Sequence, residues 1–285
     1  MDEAFKTKLV DFVQLSLKED VGDGDHTSLS SLPIDKLGEA KLLVKEDGVI
    51  AGVDVGAEIF KIVDADLDVQ VFISDGNKVT VGDIVLFVKG NIHSILKAER
   101  LVLNVMQRMS AIATKTSLYV KALSGTSTQV LDTRKTTPLL RFLEKKAVSI
   151  GGGVNHRFGL YDMILIKDNH VDYAGGIAQA VQNALHYKKE KGMAIPIEVE
   201  VRNFEELKEL LSCDGVDRVM FDNFTPEDVR KAVALVDGKM VTEASGGINL
   251  ETVRDYALAG VDYVSVGALT HSVYNMDLSL KAKLV

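Results

Sequence analysis

This 285-residue chain is short of cysteine, of proline and of long apolar runs, and each shortage excludes something. A single cysteine, Cys213, forms no internal disulfide, and without a cysteine cluster there is no thiolate site for zinc or iron. Cys213 reads as a passive thiol. Four prolines, with 46% hydrophobic and 26% charged residues, exclude a fibrous or disordered chain and describe a compact globule. No apolar run approaches the roughly 18 residues of a membrane span. The first twenty residues carry acids throughout where a targeting segment would place bases before an apolar stretch, so the expected location is cytoplasmic. There is no Gly-x4-Gly-Lys-Ser/Thr phosphate loop, Gly22-Asp23-Gly24-Asp25 has the wrong surroundings for a dinucleotide loop, and no Ser–His–Asp set stands out. The net charge of −8 argues against binding to nucleic acid or an anionic membrane.

That charge is segregated. From Lys97 to Lys167 there are twelve Lys and Arg against four Asp and Glu, a local +8 in an acidic chain. Such a segment suits a small, highly charged anion held in a pocket. Some of these cations, Lys115, Lys121 and Lys145 among them, are expected on solvated helix faces.

The first hundred or so residues alternate acidic loops with short strand-like runs: AKLLVKEDGVIAG, then VQVFISDGNKV turning at Asp75-Gly76-Asn77, then DIVLFVKG. They read as a small sheet domain. The spacing then predicts a helix over 94–123, with Ile95, Leu101, Val105, Ile112 and Leu118 buried. Beyond it one device repeats. Short apolar runs end abruptly in polar residues at 128–135, 161–170, 195–201, 217–224, 239–247 and 262–271, with helical segments between. In a barrel of parallel strands these endings gather on one face. Six or seven strand candidates predict an incomplete, seven-stranded TIM-like barrel, the alternative being a doubly wound open sheet. The expected domains are 1–112 and 113–273, with 274–285 returning to the first as a strand.

The densest site candidate is Asp132-Thr133-Arg134-Lys135-Thr136-Thr137-Pro138, where an arginine fork and a lysine point charge follow a buried strand. A triple glycine precedes His156 and Arg157, whose pairing suggests donors to an anion. Lys167 ends the apolar run DMILI, while Asp168, Asn169 and His170 are expected to fix the turn after it. Glu198 and Glu200 alternate in IPIEVEV and so project to one side of a strand, and Asp222 ends VMFD. Such acids could ligate Mg²⁺, hold sugar hydroxyls or face a developing cation, or else pair with the basic residues as a structural ion network. Two late stretches, Glu243-Ala244-Ser245-Gly246-Gly247 and Ser265-Val266-Gly267-Ala268, expose backbone N–H groups before helical segments, as phosphate cradles do; His271 could reach the same phosphate or cap a helix. A phosphorylated sugar joined to an anionic ring fits all of these.

The chain closely resembles the quinolinate phosphoribosyltransferase family. The likeness rests on EDVGDGDHTS at 19–28, AERLVLNVMQRMSAIAT at 98–114, DTRKTTP at 132–138, GGGVNHRFGLYDMILIKDNH at 151–170, the IEVEV run, DRVMFDNF, EASGGI and VDYVSVGALTHS, in that order. The resemblance implies a homodimer of subunits that each pair a small α/β sandwich with a seven-stranded barrel. It implies that Arg134, His156, Arg157 and Lys167 hold the carboxylates of quinolinate, with Arg100 reaching in from the neighbouring subunit. Thr133, Lys135, Glu200, Asp222, Ser245, Gly246, Gly247, Val266, Gly267, Ala268 and His271 would bind phosphoribosyl pyrophosphate, with Mg²⁺ near Glu200 and Asp222. Lys135, Lys167, Glu200 and Asp222 would carry the chemistry. Ala111 and Leu139 stand where the family pattern has glycine, which touches the loop after Pro138 and the pose of Arg141. Two rivals remain: a related barrel acting on nicotinate or another aromatic acid, which needs fewer cations, and a non-catalytic sugar-phosphate sensor, whose acids would be dispensable.

Overall fold

The computed structural model describes residues 1–283. The chain opens with α1 (Glu3–Val21), whose first turn is capped by Asp2 accepting the Phe5 N–H at 2.7 Å, and α2 (His26–Ser31), capped by Asp25. There follow β1 (Leu37–Val44), β2 (Gly48–Val49), α3 (Val53–Val63), β3 (Asp68–Val71), β4 (Lys78–Val79), β5 (Ile84–Asn91) and the long α4 (Ile92–Ala122). The second half runs β6 (Gln129–Leu131), α5 (Arg141–Ile150), β7 (Ile164–Ile166), α6 (Asp168–Ala174), α7 (Ile177–Lys191), β8 (Ile197–Val201), α8 (Phe204–Leu210), β9 (Arg218–Asp222), α9 (Pro226–Val236), β10 (Val241–Ser245), α10 (Val253–Leu258), β11 (Tyr263–Ser265), α11 (Ala268–His271) and β12 (Leu278–Lys283).

Two compact units result. The first comprises residues 1–117, 137–152 and the chain from Val273 onward. Its antiparallel sheet has the order β12-β1-β5-β3, so the terminal alternation does return as a strand, with Ala40 opposite Ala282 and Leu42 opposite Leu280. Residues 284–285 of the expected return lie outside the described residues. Alternate residues of β1, Ala40, Leu42 and Val44, are buried, as one covered sheet face requires. Helices α3 and α4 pack closely where glycine replaces a side chain: a Cβ on Gly52 or Gly56 would stand 2.7 Å from the sulfur of Met109 or Met106. The Asp75-Gly76-Asn77 turn exists, with Gly76 at φ 85°, but joins no hairpin, since β3 pairs β5 and β4 pairs β2. Asp75 instead accepts the Val53 N–H at the start of α3.

The 113–273 domain expected from the sequence differs from the second unit, because α5 belongs to the first. Phe142 meets Phe5 and Phe12 edge-on, Glu144 holds Arg108 at 2.9 Å and Lys146 holds Asp54 at 3.1 Å. Lys145, expected in solvent, is buried on this helix, and Lys115 is half-buried. Along α4, Ile95, Val105 and Ile112 are buried, but Leu118 is exposed because the stripe passes through Thr116 and Tyr119, four and seven residues beyond Ile112. Leu139, where the family pattern has glycine, sits at φ 65°, exposed. That left-handed backbone is strained for a side chain with a Cβ, which is the physical reason for glycine there. Arg141 begins α5 two residues later.

Asp75 carries a testable cost. Burial, with a hydrogen bond and like charge from Asp54, pushes its carboxyl up to about 6 against the bond from Val53. The folded protein therefore keeps a proton that the unfolded chain releases, so this group's contribution to stability falls as pH rises from about 4 to about 6. Asn in its place still accepts from Val53 but carries no charge. Asp75→Asn should raise the melting temperature at pH 7.5 by about 2 °C, the equivalent of roughly 1 kcal/mol after allowance for partial exposure. The gain should shrink toward pH 4; destabilisation at both pH values would refute it.

The second unit, residues 118–136 and 153–272, is built on one parallel sheet in the order β6-β11-β10-β9-β8-β7. The seventh strand is reduced to a single bridge between Val154 and Leu131 of β6. Around the sheet the order is thus Val154, β6, β11, β10, β9, β8, β7, that of a barrel left open between Val154 and β7. Register aligns Glu198 with Arg218, Glu200 with Met220 and Asp222 with Ser245. Alternation then sends Glu198, Glu200, Arg218, Met220, Asp222, Glu243, Ser245 and Ser265 to the same side.

Candidate active site

The six strand ends and the Val154 turn enclose one cavity of about 670 Å³. It is lined from β6 by Thr133, Arg134 and Lys135, from the turn by His156 and Arg157, from β7 by Leu165 and Lys167, and from β8 by Glu200. Met220, Asp222 and Asn223 come from β9, Glu243 through Ile248 from β10 without Ala244, and Ser265 through Ala268 with His271 from the end of β11. Every barrel residue to which the resemblance gives a substrate or catalytic role thus lines one space, whereas Glu198 does not. Arg100 does not; it lines a different cavity, of about 330 Å³, in the first unit, beside Phe12, Asn104 and Leu143.

Each wall is fixed locally. Lys135 is held by its backbone, its N–H donating to Thr133 Oγ1 at 3.0 Å and its carbonyl accepting from Thr270 Oγ1 at 2.8 Å. Its side chain crosses Gly267, where an added Cβ would lie 3.0 Å from Lys135 Cδ and 3.1 Å from His271 Cδ2, so a glycine is needed there. Gly246 is held at φ 99° against Asn223, whose side chain an added Cβ would overlap. Asn223 itself takes φ 57° and donates through Nδ2 to Asp222 Oδ2 at 2.7 Å, orienting that carboxylate. The turn after β7 is fixed as expected: His170 Nδ1 accepts the Lys167 N–H at 2.9 Å, and Asp168 accepts from Asn169.

The cavity is strongly polarised. Lys167 Nζ donates to Glu200 Oε2 at 2.8 Å, an ion pair of the anticipated network. Arg157 is nearly buried and donates to Met163 O at 3.2 Å. Its guanidinium holds its proton less tightly than usual, first because it is desolvated and next because Arg134 lies near. A buried cation kept beside an exposed one at the cavity wall describes a receptor for an anion.

His156 stands in the cavity wall against two buried acids. Its Nδ1 accepts the Arg157 N–H at 2.7 Å, while Nε2 faces Glu198 Oε2 at 2.8 Å and Glu243 Oε2 at 3.5 Å. Nδ1 is thus committed to the backbone, and the residue lines the cavity. Glu198, expected beside Glu200, lies below the cavity with Arg218, which reaches Glu243 at 3.0 Å and stacks on Tyr263. Burial lifts the carboxyls of both Glu198 and Glu243 to about 7, and each adjoins the other, so together they retain a proton near neutrality.

Sequence reading missed Asn223, Arg218 and the inward role of Glu243. Arg218 and Glu243 carried a signal, since each lies two residues before an inward residue of its strand, Met220 or Ser245. Asn223 carried none, its role depending on a positive φ.

Comparison with known proteins finds relatives over nearly the whole chain. The model of the quinolinate phosphoribosyl transferase C-terminal domain matches residues 112–281, and that of the N-terminal domain of the same family matches residues 25–110. The chloroplastic nicotinate-nucleotide pyrophosphorylase [carboxylating] of Arabidopsis thaliana is 46% identical over 94% of this chain and 81% of its own length. A probable nicotinate-nucleotide pyrophosphorylase [carboxylating] of Bacillus subtilis is 42% identical over 93% of this chain and 90% of its own. Among solved structures, the nicotinate-nucleotide pyrophosphorylase of Francisella tularensis superposes with a TM-score of 0.89 at 40% identity, covering 97% of this chain and 96% of that one. With both domain models matched in order and the strand-end residues gathered in one cavity, this chain belongs to the quinolinate phosphoribosyltransferase family.

Proposed function

We propose that this chain is a carboxylating nicotinate-nucleotide pyrophosphorylase, which joins quinolinate to phosphoribosyl pyrophosphate and releases pyrophosphate and carbon dioxide to give nicotinate mononucleotide. The observation that carries the substrate is the cation set of the cavity, Arg134, Arg157 and Lys167, facing two carboxylates, Glu200 and Asp222, across a space of about 670 Å³. Quinolinate brings two carboxylates to these cations; nicotinate brings one.

The residues divide the work by charge. Arg134 and Arg157 hold the ring acid so that its nitrogen faces the sugar's C1. Ser245, Gly246, Gly247, Val266, Gly267 and Ala268 present small side chains and backbone N–H groups to the 5′-phosphate, with His271 beside them and Thr133 and Lys135 toward the pyrophosphate. As the C1–pyrophosphate bond breaks and the ring nitrogen bonds to C1, positive charge develops on the sugar, and Glu200 and Asp222 stabilise it electrostatically. The ring nitrogen is then cationic. Its 2-carboxylate leaves as carbon dioxide, the electron pair stays on the ring carbon, and a proton replaces the lost group. Lys167, already donating to Glu200, keeps cationic charge beside the ring acid.

The carboxylates suit Mg²⁺. Glu200 and Asp222 each offer about four lone-pair positions, of which Lys167 and Asn223 each take one. Bound there with the substrate's phosphates, Mg²⁺ would neutralise charge on the leaving pyrophosphate.

Initial rates with each ring acid, phosphoribosyl pyrophosphate and Mg²⁺ test the substrate. Nicotinate mononucleotide should form from quinolinate about 10 to 150 times more efficiently than from nicotinate, because one charge-assisted contact is worth about 1.5–3 kcal/mol. The reverse preference would select the nicotinate reading, and binding of sugar phosphate without turnover the sensor reading.

The assembly proposed is a homodimer in which Arg100 enters the partner's cavity, which accounts for a cation of the basic segment absent from the lining of its own barrel cavity. Mixing inactive Arg100→Ala protein with inactive Asp222→Asn protein should then restore turnover, since one site of the mixed dimer is intact; no restoration after subunit exchange would reject the crossing. Among the described residues no helix is long and apolar enough to cross a membrane. The compartment proposed is the cytoplasm, whose reducing conditions suit a chain with a lone, half-buried cysteine.

A further inference from the structure

Arg157 reaches the cavity from a piece of chain that is neither helix nor strand. Between it and Met163, just before β7, residues 158–162 form bends, and Leu160 and Tyr161 at their crest are 70% and 65% exposed. With its crest in water, the loop depends on polar contacts for its shape. One side chain makes them. Asp162 Oδ2 accepts the Phe158 N–H at 2.6 Å and Oδ1 accepts the Gly159 N–H at 2.9 Å, so each oxygen takes one of two consecutive amides. Tyr161 folds back over Gly159, where an added Cβ would stand 2.5 Å from its ring. At the base of the loop the Arg157 guanidinium closes the chain on itself, Nη1 donating to Met163 O at 3.2 Å, the carbonyl next to Asp162.

We propose that Asp162 is a positioning residue for the ring acid: by holding the amides of Phe158 and Gly159 it sets the loop that aims the Arg157 guanidinium into the cavity. Asp162 itself does not line the cavity, so it takes no part in the chemistry. The guanidinium needs such a hold. It is nearly buried, and burial and then the like charge of Arg134 loosen its proton, while Glu198 and Asp162 are the acids that favour its charge. A side chain in that position gains hydration and escapes repulsion by swinging out to water. Two charge-assisted bonds from one carboxylate keep the loop closed and Met163 O in reach, which opposes the swing. Without them the two amides turn to water, the base of the loop opens and the guanidinium loses its tether. The phosphoribosyl side of the cavity is built on β6, β10 and β11 and does not depend on this loop.

Asp162→Ala removes both acceptors, while Asp162→Asn keeps one oxygen and sets an amide group against the second N–H. Ala should raise KM for quinolinate about tenfold or more while KM for phosphoribosyl pyrophosphate stays within about twofold, with Asn between Ala and the parent. A double-mutant cycle then separates aiming from general loosening. In an Arg157→Gln background, Asp162→Ala should change KM for quinolinate by less than about twofold, because the guanidinium it aims is gone. Equal increases in both KM values, no change with Ala, or a full further loss in the Arg157→Gln background would overturn the proposal. If the Ala variant does not fold, Asp162→Asn carried through the same cycle decides it by the same criterion. The kinetics rest on the quinolinate reading, whereas amide hydrogen exchange needs no substrate. The Phe158 and Gly159 amides should be protected in the parent and exchange at least about tenfold faster in Asp162→Asn, with the amides of β8 and β9 unchanged. Equal protection in both proteins would overturn the proposal. The expected exchange in a protein that ignores quinolinate would support the hold on the loop and break the functional reading alone.

Discussion

Asp222→Asn should lower kcat by about 10²- to 10³-fold while leaving the fold, the melting temperature and KM for quinolinate close to those of the parent protein. The carboxylate ends β9 at the cavity wall and is oriented by Asn223, so its negative charge is fixed before the reaction begins. Positive charge develops on the sugar only as pyrophosphate leaves, and a preset charge that acts there raises kcat without tightening the ground state. The amide retains shape and can still accept from Asn223, so nothing but charge and cation affinity is removed. A kcat within about tenfold of the parent would show that the acid has another purpose. Glu200 is the less clean probe, because neutralising it frees Lys167 at the same time.

The second large effect concerns affinity. Arg157→Gln should raise KM for quinolinate about 30-fold or more, in keeping with the loss of a charge-assisted contact worth about 1.5–3 kcal/mol. Arg157→Lys should fall between the two, since a point charge replaces a planar fork. The free protein should tolerate the change, because desolvated Arg157 and neighbouring Arg134 repel until an anion lies between them. Thermal shift separates these contributions. The unliganded melting temperature should hardly move, and the rise that quinolinate produces in the parent should disappear. A quinolinate-induced rise that survives in Arg157→Gln would remove this arginine from the binding set.

Much of this site was legible because strand ends are simple objects. Runs such as YDMILIKDNH and DRVMFDNF place a polar residue where an apolar strand stops, and parallel strands bring all such stops to one face, so the sequence alone locates Lys167 and Asp222 at the strand ends. Period-two alternation likewise placed Glu200 inward. What escaped depended on three dimensions. His156 beside Arg157 reads as an anion donor, and nothing in the sequence shows that the Arg157 N–H takes its Nδ1. Helix α5 follows a barrel strand in sequence, yet its phenylalanine and its acid find partners on α1 and α4. Lys145 looked solvated because two adjacent lysines, Lys145 and Lys146, give no sign of which one faces inward. The seventh strand was overestimated for a related reason: a glycine-rich turn can support one bridge at Val154 without a ladder. Leu139 shows the opposite case, a departure from a pattern that acquires its meaning from a φ of 65°.

The most direct test of the account is to supply quinolinate labelled in its 2-carboxylate together with phosphoribosyl pyrophosphate and Mg²⁺, and to count carbon dioxide against pyrophosphate in the same reaction. One labelled carbon dioxide per pyrophosphate, with nicotinate mononucleotide as the nucleotide product, is the predicted result. Pyrophosphate released without labelled carbon dioxide, or no reaction with quinolinate, would contradict it.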